Sequence, residues 1–239
     1  KWCKERGITT KGHPLVWNHE DPRWLSDDLD EIHKLQMERI SDCVARFKDV
    51  IDIWDVVNEA SDFERLKEKK ITKAWLKAGR IPFCIEAFKT ARQANPKAVL
   101  LINDYKLDEK YEEVIKNLVD EKSDRLYNVI GIQSHMHSGA WDTEGIWDVC
   151  ERFSKFGVPL HFTETTILSG RLGWDQPKPW DSTPEGEKYQ AENVERFYTV
   201  LFSHPAVEAI TWWDFCDKGS WMSAPAGFIR ADGTPKPAY

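Results

Sequence analysis

Short apolar runs alternate along this chain with longer segments whose apolar residues recur at helical spacing. The runs favour buried β-strands, and the recurring pattern is typical of helices that bury one face. Strands are predicted at residues 8–17, 50–57, 98–102, 129–132, 159–163 and 207–213. Helices are predicted at residues 27–48, 81–95, 108–122, 143–156 and 184–203, after a helix end at 1–7. The alternation indicates a parallel α/β fold, with loops predicted at 61–79 and 165–183.

Polar residues accompany every predicted strand near the point where it ends. The clusters are 13–18, Asn58-Glu59, Asn103–Tyr105, Gln133–His137, Glu164 and Trp213–Trp221. In a (β/α)8 barrel all strand ends open on one face, whereas in a doubly wound sheet only the ends near the switch point do so. Polar clusters at six strand ends therefore favour the barrel.

The number of predicted strands is smaller than a complete barrel requires, because six are found where the fold has eight. We therefore expect an α/β fold of the (β/α)8 TIM-barrel class, with only strands 3 to 8 present in this chain. Residues 1–239 would form one barrel domain, incomplete at its N-terminus and short at its C-terminus. Exposed parallel edges are rarely tolerated, so self-association or a segment preceding residue 1 is expected to complete the barrel.

Composition narrows the function classes. The chain has 239 residues and a formal net charge of -7, which argues against a general nucleic-acid binder. It contains no apolar run of the roughly 18 residues that a membrane span needs. Its five cysteines form no CxxC pair and no zinc-spaced cluster, and no dinucleotide or P-loop motif occurs. We expect no metal and no organic cofactor.

Two carboxylates stand out because each closes an apolar run, Glu59 after WDVVN and Glu164 after HFT. A pair of carboxyl groups can cleave a glycosidic bond, since one protonates the leaving oxygen while the other attacks the anomeric carbon or activates water. The 12 tryptophans add flat rings that can stack on sugar faces. We expect Glu59 and Glu164 to face each other across one sugar-binding cleft.

These motifs resemble glycoside hydrolase family 10, the retaining endo-β-1,4-xylanases. The similar segments, in the family's order, are GHPLVWN (12–18), WDVVNEA (54–60), NDY (103–105), QSH (133–135), FTET (162–165) and ITWWDFCDKGSW (210–221). The resemblance covers nearly the whole chain. It implies hydrolysis of xylan or xylo-oligosaccharides, and a polysaccharide substrate implies a secreted, cell-surface or periplasmic protein.

The resemblance also implies a role for each matching residue. Glu59 would be the catalytic acid/base and Glu164 the catalytic nucleophile. Asn58 would hydrogen-bond the 2-hydroxyl of the sugar at the cleavage point, and His135 would hydrogen-bond Glu164. The implied substrate-binding residues are His13, Trp17, Asn58, Tyr105, Gln133, His135, Trp213 and Trp221.

The chain departs from the family pattern beside its second carboxylate. The family usually carries an Asp there that supports the neighbouring histidine, whereas this chain has Thr165-Thr166, and a hydroxyl supports an imidazolium less well than a carboxylate does. Asn18 replaces a usual His, and Cys216 stands where a basic residue is common. Two alternatives therefore stay open: a related β-1,4-glycanase such as an endoglucanase, and a non-catalytic xylan-binding remnant of the same fold.

Overall fold

The computed structural model describes residues 1–177 and 180–239, so residues 178 and 179 of the predicted loop 165–183 lie outside the described residues. The chain divides into two compact units, Lys1–Gly131 and Ile132–Tyr239. Strand pairing is parallel in both units. Among the described residues, no helix combines the length and the apolar character that crossing a membrane requires.

The first unit contains three strands and the start of a fourth. They are β1 (Lys11–Gly12), β2 (Ile53–Asn58), β3 (Val99–Asp104) and β4 (Val129–Ile132). β2 pairs with both β1 and β3. The predicted strand 8–17 is regular only over β1, followed by a single bridge from Val16 to Val57, because Pro14 has no N–H with which to continue the ladder. Where β1 meets β2, a Cβ on Gly12 would lie 2.3 Å from the ring of Trp54.

The helices of the first unit are α1 (Leu29–Arg46), α2 (Lys70–Ala78), α3 (Arg80–Ala94) and α4 (Glu109–Asn117), with 3₁₀ segments at Lys4–Arg6 and Ala60–Leu66. The prediction of a loop over 61–79 was wrong. Charged residues are frequent in the segment, but the spacing of Ile71, Ala74 and Trp75 gives α2 one buried face. Trp75 is fully buried, stacks on Phe83 at 4.7 Å, and donates a hydrogen bond to Gln36.

The second unit contains β5 (His135–Met136), α5 (Thr143–Ser154), β6 (Leu160–Ile167), α6 (Pro184–Ser203) and β7 (Val207–Trp212). β6 pairs with β5 and with β7. The predicted strand 129–132 is confirmed as β4, and β5 is an additional short strand that was not predicted. Between them, the backbone of Ser134 takes a left-handed conformation, with φ 56°. β6 also runs to Ile167, so the first residues of the predicted loop 165–183 are strand.

The C-terminal tail is held in the second unit by ion pairs. Arg230 donates two hydrogen bonds to Glu187 of α6, at 2.8 and 2.5 Å. The ammonium of Lys236, which is 3% exposed, lies 2.8 Å from a carboxylate oxygen of Asp217. These ion pairs give the tail a defined path. All five cysteines are free thiols.

Candidate active site

The ten predicted site residues are shared equally between the two units. His13, Trp17, Asn58, Glu59 and Tyr105 belong to the first, and Gln133, His135, Glu164, Trp213 and Trp221 to the second. In each unit the carboxylate comes from a strand that has a parallel partner on either side.

Glu59 comes directly after β2 and has a left-handed backbone, with φ 60° and ψ 40°. This conformation is strained for a residue with a Cβ, and such strain is concentrated at functional sites. The Glu59 N–H donates to the carbonyl of Asn103 at 2.9 Å, which fastens the end of β2 to β3. The side chain is 7% exposed, and Arg65 donates to Oε2 at 2.5 Å. The strand end and the guanidinium together hold this carboxylate in one place.

Asn58 and His13 are each oriented by a buried partner. The Oδ1 of Asn58 accepts a hydrogen bond from Asn103 Nδ2 at 2.9 Å. The Nδ1 of His13 lies 2.7 Å from Oδ2 of Asp55, a fully buried residue of β2. Sequence reasoning missed Asp55. Its signal was a carboxylate within an apolar strand, because a fully buried aspartate almost always has a partner.

Tyr105 belongs to a polar cluster centred on Asp62, which sequence reasoning also missed. The Tyr105 hydroxyl donates to Asp62, and the Arg65 guanidinium lies 5.2 Å from the centre of the Tyr105 ring. Lys106 Nζ lies 3.6 Å from the other oxygen of Asp62. Burial and the bond to Asp62 raise the pKa of Tyr105, so its hydroxyl remains a proton donor across the usual pH range.

Asp104 is a fully buried carboxyl group at the end of β3. It accepts hydrogen bonds from the backbone N–H groups of Ser61 and Lys106, at 2.9 and 3.0 Å. Burial raises its pKa to about 7, more than these two N–H groups lower it, and the nearby charge of Glu59 raises it further. Asp104 therefore titrates near neutral pH.

Trp17 and Asn18 close the GHPLVWN segment. The Trp17 ring stacks on His19 with 4.4 Å between centroids and an interplanar angle of 18°. Asn18 is buried and donates to the carbonyl of Phe63 and to Thr72 Oγ1. Asn18 thus attaches this segment to the 3₁₀ helix Ala60–Leu66 and to α2.

Glu164 lies within β6, and its backbone N–H donates to the carbonyl of Gln133 at 3.1 Å. Both side chains are buried, at 5% and 3% exposure. The Nε2 of His135 lies 3.1 Å from Glu164 Oε2, which is hydrogen-bonding distance. The other ring nitrogen, Nδ1, lies 3.3 Å from Thr166 Oγ1. Glu164, His135 and Thr166 therefore form one hydrogen-bonded chain.

Trp213 and Trp221 enclose the His135 ring. Trp213 follows β7 and meets the imidazole edge to face at 5.9 Å, while Trp221 lies 4.8 Å away. The backbone N–H of Trp221 donates to Asp214 Oδ1 at 3.0 Å, and burial raises the pKa of Asp214. Both indoles keep more than a third of their surface exposed. They can therefore stack on a ligand while shielding His135.

His137 was not singled out from the sequence, although it stands two positions after His135. It is 1% exposed, and its ring lies 4.2 Å from Trp174 and 5.2 Å from Trp221. Burial lowers the pKa of His137 to about 4, so the ring is neutral at physiological pH. His137 packs as an uncharged aromatic ring behind Trp221.

The whole chain, residues 1–239, matches the family profile described as Glycosyl hydrolase family 10. Endo-1,4-beta-xylanase B of Thermotoga neapolitana is 29% identical, and the alignment covers 100% of this chain and 70% of that protein. Endo-1,4-beta-xylanase B of Paenibacillus barcinonensis is 30% identical over 91% of this chain and 68% of its own length.

A solved structure supports the same assignment. Xylanase 10B of Thermotoga petrophila RKU-1, crystallised with xylobiose, is 29% identical and superposes with a TM-score of 0.79, over 100% of this chain and 73% of that chain. The predicted fold class is confirmed: α/β, of the (β/α)8 barrel type, with about six of the eight strands in this chain.

Proposed function

The chain belongs to glycosyl hydrolase family 10, and on that premise we propose that it hydrolyses internal β-1,4-xylosidic bonds of xylan with retention of configuration. The similarity to proteins named endo-1,4-beta-xylanase, and to one crystallised with xylobiose, supports xylan or xylo-oligosaccharide as the substrate. The observation that supports the reaction type is the presence of two buried, hydrogen-bonded carboxylates, Glu59 directly after β2 and Glu164 within β6.

In the proposed reaction, Glu164 attacks the anomeric carbon while Glu59 protonates the leaving oxygen. A glycosyl–enzyme ester forms, and Glu59 then deprotonates the water that hydrolyses it. The bond between His135 and Glu164 supports the nucleophile role, because it orients the carboxylate that would attack. The bond from Arg65 and the strained backbone fix the position of the Glu59 carboxylate, which supports its role as acid/base. No metal or organic cofactor takes part.

Sugar binding is proposed for the remaining predicted residues. Asn58 would hydrogen-bond the 2-hydroxyl, and its bond from Asn103 fixes the orientation of its amide. The other residues proposed to contact sugar are His13, Trp17, Tyr105, Gln133, His135, Trp213 and Trp221. Their exposed indoles and oriented polar groups are the kinds of group that bind a pyranose.

The test measures release of reducing sugar from xylan by the protein and by Glu59→Gln and Glu164→Gln. We expect each variant to lose on the order of 10³-fold or more in kcat. Glu144→Gln is the matched control, since Glu144 is exposed in the first turn of α5, and it should keep full activity. Equal background rates for the protein and both variants would contradict catalysis and favour a sugar-binding role.

An aryl β-xyloside separates the two roles, because a good leaving group departs without protonation. With this substrate Glu59→Gln should still form the glycosyl–enzyme ester and release a burst of phenol, whereas Glu164→Gln should release none. A burst from Glu164→Gln would refute its role as nucleophile.

Preference for xylose over glucose is proposed to depend on Trp221, whose ring covers His135. A ring closing over C5 of the sugar would exclude the hydroxymethyl group of glucose. Trp221→Ala should therefore raise activity on a soluble cellulose derivative relative to xylan. A protein that already prefers the cellulose derivative would be a related β-1,4-glycanase instead.

Two further proposals concern the setting of the protein. Because xylan lies outside the cell, we propose a secreted, cell-surface or periplasmic location, which fractionation with an antibody would test.

The chain spans 73% of the solved relative's length, and we propose that a second copy or a preceding segment supplies the remaining strands. Light scattering that shows a stable, well-folded monomer of this chain alone would contradict that proposal.

A further inference from the structure

The hydroxyl group of Thr166 lies between a backbone donor and the His135 ring. Thr166 Oγ1 is 3.3 Å from the backbone nitrogen of Met136 and 3.3 Å from His135 Nδ1. Thr166 is fully buried in β6. Within residues 1–177 and 180–239, these two nitrogens are the only hydrogen-bond partners of this hydroxyl.

The chemistry of these groups allows one arrangement that satisfies all of them. The Met136 N–H can only donate, so Thr166 Oγ1 accepts from it. The single O–H proton of Thr166 then has the lone pair of His135 Nδ1 as its acceptor, which requires that Nδ1 carry no proton. If Nδ1 were protonated, the oxygen would face two donors and its own proton would be buried without an acceptor, which is costly.

The other ring nitrogen agrees with this arrangement. A neutral imidazole without a proton on Nδ1 carries its proton on Nε2, which lies 3.1 Å from Glu164 Oε2 and can donate to that carboxylate. We propose that Thr166 is a positioning residue, whose hydroxyl holds His135 as the neutral tautomer protonated on Nε2. His135 then gives Glu164 one directed hydrogen bond and no full positive charge.

The groups around His135 have opposing effects on its protonation. Glu164 lies within hydrogen-bonding distance of the ring and Asp214 is electrostatically coupled to it, and each carboxylate would favour a second proton on His135. Trp213, Trp221 and the neutral His137 bury the ring and oppose it. Among the residues that the structure describes, the hydroxyl of Thr166 is the neighbour that decides between these tendencies, because it requires an unprotonated Nδ1. A carboxylate at this position would impose the opposite state, as it can only accept.

The consequence rests on the proposed function, because it concerns Glu164 as the nucleophile. An imidazolium beside the carboxylate would draw electron density from the attacking oxygen, whereas a neutral donor orients the carboxylate and leaves its nucleophilicity high. The tautomer of His135 can be measured without substrate turnover. The tautomer assignment and the nucleophile role of Glu164 are therefore tested independently.

The decisive measurement is ¹⁵N NMR of the full chain with labelled histidine at neutral pH. The chain has seven histidines, and His135→Asn identifies the relevant signals by their loss. We expect the downfield signal of an unprotonated nitrogen at Nδ1 and a protonated Nε2. A proton on Nδ1, with or without one on Nε2, would overturn the proposal.

Variants of Thr166 separate positioning from packing. Thr166→Ser keeps the hydroxyl and should keep both the tautomer and kcat within about twofold. Thr166→Val has nearly the same shape, and it should lose the single tautomer and on the order of tenfold in kcat, the range of one lost hydrogen bond, with KM little changed. Thr166→Asp should protonate Nδ1. Equal losses in the serine and valine variants, with the histidine signals unchanged in both, would show a packing role and refute the proposal.

If the unaltered protein does not act on xylan but shows a bare Nδ1, the proposed function fails and the tautomer assignment stands. If it hydrolyses xylan with Nδ1 protonated, the function stands and the assignment fails. Each result is therefore attributable to one idea.

Discussion

The buried carboxyl group of Asp104 makes the folded protein less stable as the pH rises towards neutral, and Asp104→Asn should remove that dependence. Asp104 has no exposed surface, and burial raises its pKa from 3.8 to about 7. Between these two values the folded chain holds a proton on Asp104 that the unfolded chain has released. Stability from this group is complete below about pH 4, falls as the pH rises to about 7, and is level above that.

The size of the effect follows from the two pKa values. They differ by about 3 pH units, each worth about 1.4 kcal/mol, so the loss between pH 4 and pH 7 approaches about 4 kcal/mol. An asparagine does not titrate, but its amide oxygen can accept from only one of the two backbone N–H groups that Asp104 binds. The unmatched N–H costs about 1–3 kcal/mol at every pH. The variant should therefore be the less stable protein at pH 4 and the more stable one at pH 8.

Urea unfolding followed by tryptophan fluorescence, from pH 4 to pH 8, measures the difference. Asp120→Asn is the control, because Asp120 also accepts from two backbone N–H groups, of Lys122 and Asp124, but is only partly buried. The pKa of Asp120 is lowered by those bonds, so its substitution should not give a variant that gains stability as the pH rises. A constant difference between the protein and Asp104→Asn across this range would refute the assignment of a raised pKa to Asp104.

Two further substitutions test the packing of the first unit. Gly12→Ala should destabilise the protein by about 1–3 kcal/mol, because its Cβ would meet the Trp54 ring; an unchanged unfolding midpoint in urea would contradict this. Trp75→Phe should cost about 2–3 kcal/mol, because it leaves the buried oxygen of Gln36 without its donor. Trp147→Phe, at a 40% exposed site, should change stability by less than about 0.5 kcal/mol; equal losses for both tryptophans would count against the hydrogen bond as the cause.

Sequence patterns predicted the parallel strands well, because a buried strand is a continuous apolar run and its end is marked by the first polar residues. β2, β3, β4 and β7 each begin and end close to their predicted bounds. The same reasoning failed at α2, where three lysines lie among five apolar residues. Helix formation there depends on burial of Ile71, Ala74 and Trp75. A local sequence pattern does not predict which residues those side chains pack against.

The sequence by itself determined the fold class, the family and the two carboxylates, because each is carried by local motifs in a constant order. Their roles in catalysis stay predictions. Tertiary structure alone decided the environment of each group: Asp104 is desolvated, His137 is covered by Trp174, and the Thr166 hydroxyl meets a histidine 31 positions earlier in the chain. Desolvation and hydrogen bonding depend on neighbours that are distant in sequence. A motif can therefore identify the carboxylate of Glu164 but not the protonation state of His135 beside it.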